Sequence, residues 1–235
     1  MTGQNTIYVY GDSIMKATAP DENMRYHFHI GEYLEKFAKL PVKIVNRAKF
    51  GAYAEKGLAI LNSDIEKGMK CDVALIEYGG NDCNFNWAEI AENPGGHHDP
   101  KTLLDSFVGY MRTMIEKLKA NSIKPVLMTL PPIDPQRYFK YITRNGINGD
   151  NILKWLGDVN TIYRYQEMYS NAALKLANDL NVTCIDMRSF ILPNRDFSKL
   201  ISEDGIHPSM AGYELIFGKL YEVLQNSLRD EKLTA

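Results

Sequence analysis

The chain has 235 residues, of which 45% are hydrophobic and 24% charged, and its formal net charge is -2. These values are typical of a globular protein with one sizeable core. The near-neutral charge excludes the basic surface that nucleic-acid binding requires, so we expect no nucleic-acid partner. No apolar run approaches the roughly 20 residues needed to span a bilayer, so we expect no membrane insertion.

Short apolar runs alternate along the chain with longer segments whose apolar residues recur every three or four positions. This alternation predicts βαβ units and a mostly parallel sheet. The predicted strands are residues 6–10, 42–45, 72–80, 124–132 and 182–185. The predicted helices are residues 30–40, 53–67, 103–118, 163–180 and 209–228. We therefore expect an α/β fold in a single domain over residues 1–235. Its architecture is a three-layer αβα sandwich around a doubly wound, flavodoxin-like parallel sheet of about five strands.

Two segments depart from this regular alternation. Residues 83–100 contain Phe85 and Trp87, and residues 134–159 are aromatic, polar and rich in turn residues, with Tyr138 among them. Connections of this length usually serve a purpose of their own. We expect them to form a lid or pocket wall, with these three aromatic residues binding substrate. A dimer interface or a local core is the alternative.

Five polar or glycine residues follow predicted strands at the carboxyl edge of the sheet. They are Ser13, Gly51, Asn81, Asp204 and His207. Loops at this edge converge where the strand order reverses, so these residues are expected to lie together.

Each of these residues suits a part in acyl transfer. His207 can take the proton of the Ser13 hydroxyl, and Asp204, three residues earlier, can fix the imidazole tautomer. The Gly51 N–H, the Asn81 amide and the Ser13 N–H can stabilise a developing oxyanion. Taken alone, however, Gly-Asp-Ser and "GGND" are also ordinary turn signals, and "DGIHP" is also an ordinary loop. The hydrolase interpretation is favoured because all the parts occur once each, in complementary roles.

The same residues resemble the sequence blocks of the GDSL esterases and lipases, also called SGNH hydrolases. "GDSI" is similar to the first block with Ser13, and "NRAKFGAYAEKG" to the second with Gly51. "GGND" is similar to the third with Asn81, and "DGIHP" to the last with Asp204 and His207. The blocks occur in the family's order, and Ile14 stands where the family name has Leu.

The resemblance implies a serine esterase that needs neither metal nor organic cofactor and acts through an acyl-enzyme on Ser13. Its substrate would be a small acyl ester, and short-chain esters, including O-acetylated carbohydrate, are our first hypothesis. The alternatives are a lipase or acyl-thioesterase of the same family, or a non-catalytic flavodoxin-like binding module with a vestigial site. A homo-oligomer is left open.

The remaining cysteines and histidines indicate no further site. Three cysteines are odd in number and widely spaced, which predicts reduced thiols. With no leader-like segment at the start of the sequence, we expect a cytoplasmic location. His97 and His98 are adjacent, and adjacent side chains seldom converge on one ion, so no metal site is predicted.

Overall fold

The structure is a computed structural model that describes residues 5–233. Within that range the strands are β1 (Asn5–Gly11), β2 (Thr18–Pro20), β3 (Tyr26–Phe28), β4 (Val42–Asn46), β5 (Val73–Glu77), β6 (Lys124–Met128) and β7 (Thr183–Ile185). The α-helices are α1 (Ile30–Phe37), α2 (Ala54–Glu66), α3 (Trp87–Glu92), α4 (Leu104–Ala120), α5 (Pro135–Ile142), α6 (Gly149–Leu156), α7 (Asn160–Asp179), α8 (Met187–Ile191) and α9 (Met210–Leu233). Two short 3₁₀ helices cover Ile14–Lys16 and Phe197–Leu200.

The central sheet has five parallel strands in the order β4-β1-β5-β6-β7. The strand order reverses after β4, because β5 pairs with the other edge of β1. Gly11, the last residue of β1, pairs with Glu77, the last residue of β5. The loops that follow these two strands therefore begin side by side, at the switch point where sites form in such sheets.

Separate apolar clusters cover the two faces of the sheet. One packs α1 and α9 against it through side chains such as Phe37 and Phe217. The other packs α2, α4 and α7 against the opposite face through side chains such as Leu61 and Phe107. The result is the predicted three-layer sandwich, and the predicted fold class is confirmed. No helix within residues 5–233 has the length and apolar character to cross a membrane.

The regular elements lie where the hydrophobic period predicts them, but two strands end earlier than expected. β5 ends at Glu77 instead of residue 80, and Gly79 follows with a φ of 132°. Glycine tolerates that backbone conformation, which residues with a side chain rarely adopt. β6 ends at Met128, before the two prolines at 131 and 132 that lack the N–H a strand ladder needs.

The segment at residues 134–159 is more regular than its turn-rich composition suggests, and it contains α5 and α6. Asp134 caps α5 by accepting hydrogen bonds from the N–H groups of Gln136 and Arg137, each at 3.0 Å. Asn148 caps α6, which ends at Gly157 with a φ of 71°. The expectation of an irregular segment was wrong because polar N-caps and a terminal glycine are helix boundary signals as well as turn signals.

A third apolar cluster joins the two predicted pocket segments. It brings together α3, α5 and α6, and its buried members include Phe85, Trp87 and Tyr138. Phe85 contacts Trp155 edge-on, with ring centroids 5.0 Å apart. The lid role of these segments stays a prediction.

Candidate active site

Ser13 lies directly after β1, at the start of the 3₁₀ helix Ile14–Lys16. The turn is held by Asp12, whose Oδ1 accepts the N–H of Ile14 at 2.8 Å. Ser13 itself is largely buried, and its backbone has helical angles. The turn therefore presents a serine hydroxyl at the carboxyl edge of the sheet, and Asp12 shapes it.

His207 and Asp204 reach the same point from the loop before α9. Ser13 Oγ lies 2.9 Å from His207 Nε2. On the other side of the imidazole, Asp204 Oδ2 lies 2.6 Å from Nδ1. When Nδ1–H is donated to the carboxylate, Nε2 is left as an acceptor for the serine proton. The chain of contacts has the geometry of a Ser-His-Asp triad.

The Asp204 carboxylate is fully buried, yet it is held in its charged form. Burial by itself raises the pKa of Asp204, but the hydrogen bond and charge of His207 outweigh this effect. The N–H groups of Ile206 and His207 add hydrogen bonds to Oδ1, at 3.1 and 3.0 Å. The net result is a pKa below the usual value for aspartate. A carboxylate that stays ionised can orient the imidazole and stabilise its protonated form.

Gly205 lets this loop approach α5 closely. Its φ is 79°, and a Cβ on it would lie 2.2 Å from the backbone nitrogen of Tyr138. The Gly205 carbonyl accepts the N–H of Asp134 at 2.8 Å. The loop that carries Asp204 and His207 is thereby joined to the N-terminus of α5.

Asn81 lies beside Ser13, and Asp12 anchors it. Its Nδ2 donates to Asp12 Oδ2 at 2.9 Å and to the Ala52 carbonyl at 3.0 Å. Both amide hydrogens thus have acceptors, so an oxyanion would have to share one of them. A negatively charged oxygen is a stronger acceptor than a neutral carbonyl, which favours such sharing.

Gly51 occupies the loop next to this contact. It directly precedes Ala52, its φ is 68°, and a Cβ at its position would meet nothing within 4 Å. Its neighbour Phe50 stacks along the His207 ring, with centroids 6.2 Å apart and planes at 11°. Gly51 therefore lies between a residue that touches His207 and a residue that binds Asn81.

Three buried carboxyl groups lie at or near the Asp12–Asn81 contact, namely those of Asp12, Asp82 and Glu77. Burial raises the pKa of Asp12 to about 6, although the Ile14 N–H partly offsets the rise. Burial also raises the pKa of Asp82 to about 6, and Asp82 accepts the N–H of Ala54 at the start of α2. Burial, followed by the charge of Asp12, raises the pKa of Glu77 well above its usual value. Among the described residues, neither oxygen of Glu77 has a hydrogen-bond partner.

A cavity of about 70 Å³ opens beside Ser13. This volume is several times the roughly 10–15 Å³ that one water molecule needs. Ser13, Asn81 and His207 line it, together with the predicted residues Phe85, Trp87, Tyr138 and a wall from α7 and the loop after β6. The aromatic residues are fixed in place, since Tyr138 OH donates to Asn84 Oδ1 at 2.8 Å and the Trp87 indole donates to the same oxygen at 2.9 Å.

Several residues of the site were not predicted. Glu77 was detectable as the one charge inside an otherwise apolar strand. Tyr26 packs against His207 with ring centroids 5.0 Å apart, and Gln166 reaches the cavity wall from α7. Nothing local marks these two residues, because Tyr26 lies on an unpredicted hairpin and Gln166 on an ordinary helix.

The other histidines lie in ordinary structural contacts, and of the cysteines Cys83 lines the cavity. His97 Nε2 lies 3.0 Å from Asp99 Oδ1 at the surface, and His98 donates to the Asn93 carbonyl at 2.8 Å. Within residues 5–233 no group of three or more His, Cys, Asp or Glu side chains could hold a metal ion. Cys71, Cys83 and Cys184 are all free thiols.

The fold and this constellation are typical of serine hydrolases built on a doubly wound sheet. A sequence model of the family described as "GDSL-like Lipase/Acylhydrolase" matches residues 7–220. The chain therefore belongs to the GDSL-like lipase/acylhydrolase family and is a carboxylic ester hydrolase, as its sequence blocks predict.

Two curated relatives and one solved structure illustrate the similarity. The isoamyl acetate-hydrolyzing esterase 1 homolog of Bos taurus is 24% identical over 232 residues, which cover 94% of this chain and 82% of that protein. The isoamyl acetate-hydrolyzing esterase of Saccharomyces cerevisiae is 24% identical over 221 residues, which cover 92% of this chain and 84% of that protein. The crystal structure of the lipase/acylhydrolase from Enterococcus faecalis superposes with a TM-score of 0.67 at 19% identity, over 95% of this chain and 96% of that one.

Proposed function

We propose that this enzyme hydrolyses short-chain acyl esters through an acyl-enzyme on Ser13. The observation that carries the proposal is the unbroken contact chain from Asp204 through His207 to Ser13, at 2.6 and 2.9 Å, beside an apolar cavity. Ser13 Oγ attacks the acyl carbon while His207 takes its proton. His207 then gives that proton to the alcohol oxygen as the ester C–O bond breaks. A water molecule attacks the acyl-enzyme in the same manner, which releases the acid and restores Ser13.

Three donors would stabilise the oxyanion formed in each step. They are the N–H groups of Ser13 and Gly51 and the amide of Asn81. The N–H of a glycine at φ 68° with open space around it can approach a substrate closely. The Asn81 amide is already held between Asp12 and Ala52, so little reorganisation is needed when charge develops.

The size of the cavity supports a short acyl group. A cavity of about 70 Å³, lined by the buried rings of Phe85, Trp87 and Tyr138, accommodates an acetyl group or one a few carbons longer. Two relatives are named for the hydrolysis of isoamyl acetate, which also carries an acetyl group.

Hydrolysis of a chromogenic acetate ester tests the proposal. We expect turnover that Ser13→Ala removes, and a fall in kcat/KM as the acyl chain lengthens from acetyl to decanoyl. A phosphonate ester that forms a stable adduct with serine should label the wild type on Ser13 and leave Ser13→Ala unlabelled, as read by intact mass. Activity that survives Ser13→Ala would overturn the mechanism. A preference for decanoyl esters or for acyl thioesters would overturn the substrate class while leaving the mechanism intact.

A further inference from the structure

A second apolar region meets the site outside the cavity. The rings of Tyr26, Phe28 and Phe50, here called the aromatic rim, do not line the cavity but adjoin His207, which does: Tyr26 and Phe50 contact its imidazole, and Phe28 contacts Phe50. Tyr26 and Phe28 are two residues apart on β3, so their side chains point to the same face of the hairpin. Phe50 joins them from the loop that carries Gly51, with ring centroids 5.2 Å from Tyr26 and 5.9 Å from Phe28.

The rim is exposed to an extent that apolar rings seldom reach without a partner. Phe28 is 52% exposed and Phe50 is 44% exposed. The one hydroxyl of the rim, on Tyr26, is already bound to Tyr141 OH at 2.7 Å. Lys16 Nζ lies 4.5 Å above the Phe28 ring. The surface offered to a ligand beside His207 is therefore mainly ring face and ring edge, which favours an apolar group over a polyhydroxylated one.

We propose that the aromatic rim binds the alcohol part of the ester, and that its preferred ligand is an apolar alkyl or aryl alcohol. The proposal rests on the acyl-enzyme mechanism proposed above. An ester has an acyl part and an alcohol part, and two apolar regions, the cavity and the aromatic rim, meet at Ser13 and His207. The alcohol oxygen receives its proton from His207, so the alcohol must lie against that imidazole, where Tyr26 and Phe50 pack.

The order of product release supports the same assignment. The acyl group stays bound to Ser13 through both steps, which suits a cavity lined by buried side chains. The alcohol must leave after the first step so that water can enter, which suits the exposed rim. Burial of an apolar alcohol against Phe28 and Phe50 would strengthen binding without blocking its departure.

Two ester series measured with two rim variants test the proposal. The first series holds the acyl group as acetyl and varies the alcohol from methyl through isoamyl to 2-phenylethyl. The second holds the alcohol as ethyl and varies the acyl group from acetyl to hexanoyl. We expect Phe50→Ala to lower kcat/KM for 2-phenylethyl acetate about tenfold and to change methyl acetate less than about threefold, because only the larger alcohol reaches the ring.

Phe28→Ala is the second variant, since Phe28 contacts Phe50 and has no ring contact with His207. Phe28→Ala should also lower kcat/KM for the larger alcohols selectively, but by a smaller factor than Phe50→Ala. In both variants kcat/KM across the acyl series should stay unchanged. Phe190→Ala is the matched control, because Phe190 is 39% exposed on α8 and lies under Lys219, away from the cavity lining. It should leave both series unchanged.

The outcomes separate failure of the rim from failure of the mechanism. An equal loss on all acetates in Phe50→Ala, with no selectivity change in Phe28→Ala, would overturn the alcohol assignment while Ser13-dependent hydrolysis stands. A change confined to the acyl series would assign the rim to the acyl group and would also overturn it. Better turnover of acetylated sugars than of isoamyl acetate by the wild type would overturn the apolar class. Hydrolysis that does not depend on Ser13 would overturn the mechanism itself.

Discussion

Glu77 is a residue that is normally charged, and its surroundings disfavour that charge. Its side chain is fully buried at the end of β5, and the groups whose charges act on it include Asp12 and Asp82. The charge of Glu77 also acts on Tyr78 and Tyr213, and the charge of His207 lowers the pKa of Asp12. Burial, followed by the charge of Asp12, therefore shifts this carboxyl toward its protonated, uncharged form in the folded protein.

This state predicts a pH-dependent stability difference between wild type and Glu77→Gln. The folded pKa is above the unfolded value, so the stability contributed by the protonated group is complete below about pH 4.3 and is lost as pH rises toward the folded pKa. Glutamine cannot ionise, so the variant does not lose this stability as the pH rises. We expect the stability of Glu77→Gln, relative to wild type, to increase by up to about 1.4 kcal/mol per pH unit above pH 4.5. Urea unfolding between pH 4 and 8 measures this, and a constant difference would contradict a buried neutral Glu77.

The Asn81 amide is expected to act on the reaction rate more than on folding. Its hydrogens lie between Asp12 and Ala52 at the point where an oxyanion would form. Removal of one oxyanion donor commonly lowers kcat about 10²- to 10³-fold, and we expect this of Asn81→Ala, with little change in KM. The thermal midpoint should fall as well, because Asp12 and the Ala52 carbonyl each lose a hydrogen bond. Steady-state kinetics on the acetate ester, with Ser13→Ala as the inactive baseline, measures the effect. An unchanged kcat would remove Asn81 from the site.

At the scale of elements, the loop that carries His207 meets α5 at Gly205, and we expect this junction to help place His207. Gly205 has no space for a side chain, while Gly157 at the end of α6 has a similar φ of 71° and nothing within 4 Å of its Cβ position. Both positions carry the left-handed backbone cost of roughly 1–2 kcal/mol for a non-glycine residue. Gly205 adds a collision with the backbone of α5.

The matched pair Gly205→Ala and Gly157→Ala tests this junction. We expect Gly157→Ala to cost about 1 kcal/mol of stability and to leave kcat unchanged. Gly205→Ala should cost clearly more and should also lower kcat, because relief of the clash moves the loop that carries Asp204 and His207. Chemical denaturation and steady-state kinetics give the two quantities. Equal effects of the two substitutions on both would show that the close approach to α5 has no part in placing His207.

At the scale of the whole molecule, the third apolar cluster is the part most separate from the sheet. Both tryptophans of the chain, Trp87 and Trp155, lie in or against this cluster. Tryptophan fluorescence therefore reports the cluster, whereas far-ultraviolet circular dichroism reports the helices and strands of the entire chain. The two signals therefore allow unfolding of the third apolar cluster, here called the pocket wall, to be followed separately from unfolding of the whole chain.

A single domain predicts that these two signals change together. We expect one urea transition with the same midpoint by fluorescence and by circular dichroism, because α5 is joined to the His207 loop and α7 packs on both the sheet and the pocket wall. A fluorescence transition at clearly lower urea would show that the pocket wall unfolds on its own. It would then be a separate unit of stability.

Local patterns were sufficient for the regular part of the fold and for the choice of residues that meet at the candidate site. Apolar period identifies the strands and helices of the sandwich, because each element must turn one face or stripe toward a core. Ser13, Asn81, Asp204 and His207 were predictable because their loops follow parallel strands and must converge. The helices α5 and α6 were not recognised, since their caps use the same Asp, Asn and Gly residues that mark turns.

The sequence by itself determined the class of the protein, through an alternating period that indicates a parallel sheet covered by helices and through residues of complementary chemistry at one edge of it. Only the tertiary structure decided how those residues are supported. The anchoring of Asn81 by Asp12, the burial of Glu77 near Asp12 and the packing of Tyr26 and Phe50 on His207 each bring together residues far apart in the chain. Burial, stacking and hydrogen-bond pairing of this kind depend on which elements meet in space. Neither hydrophobic period nor a short motif carries that information.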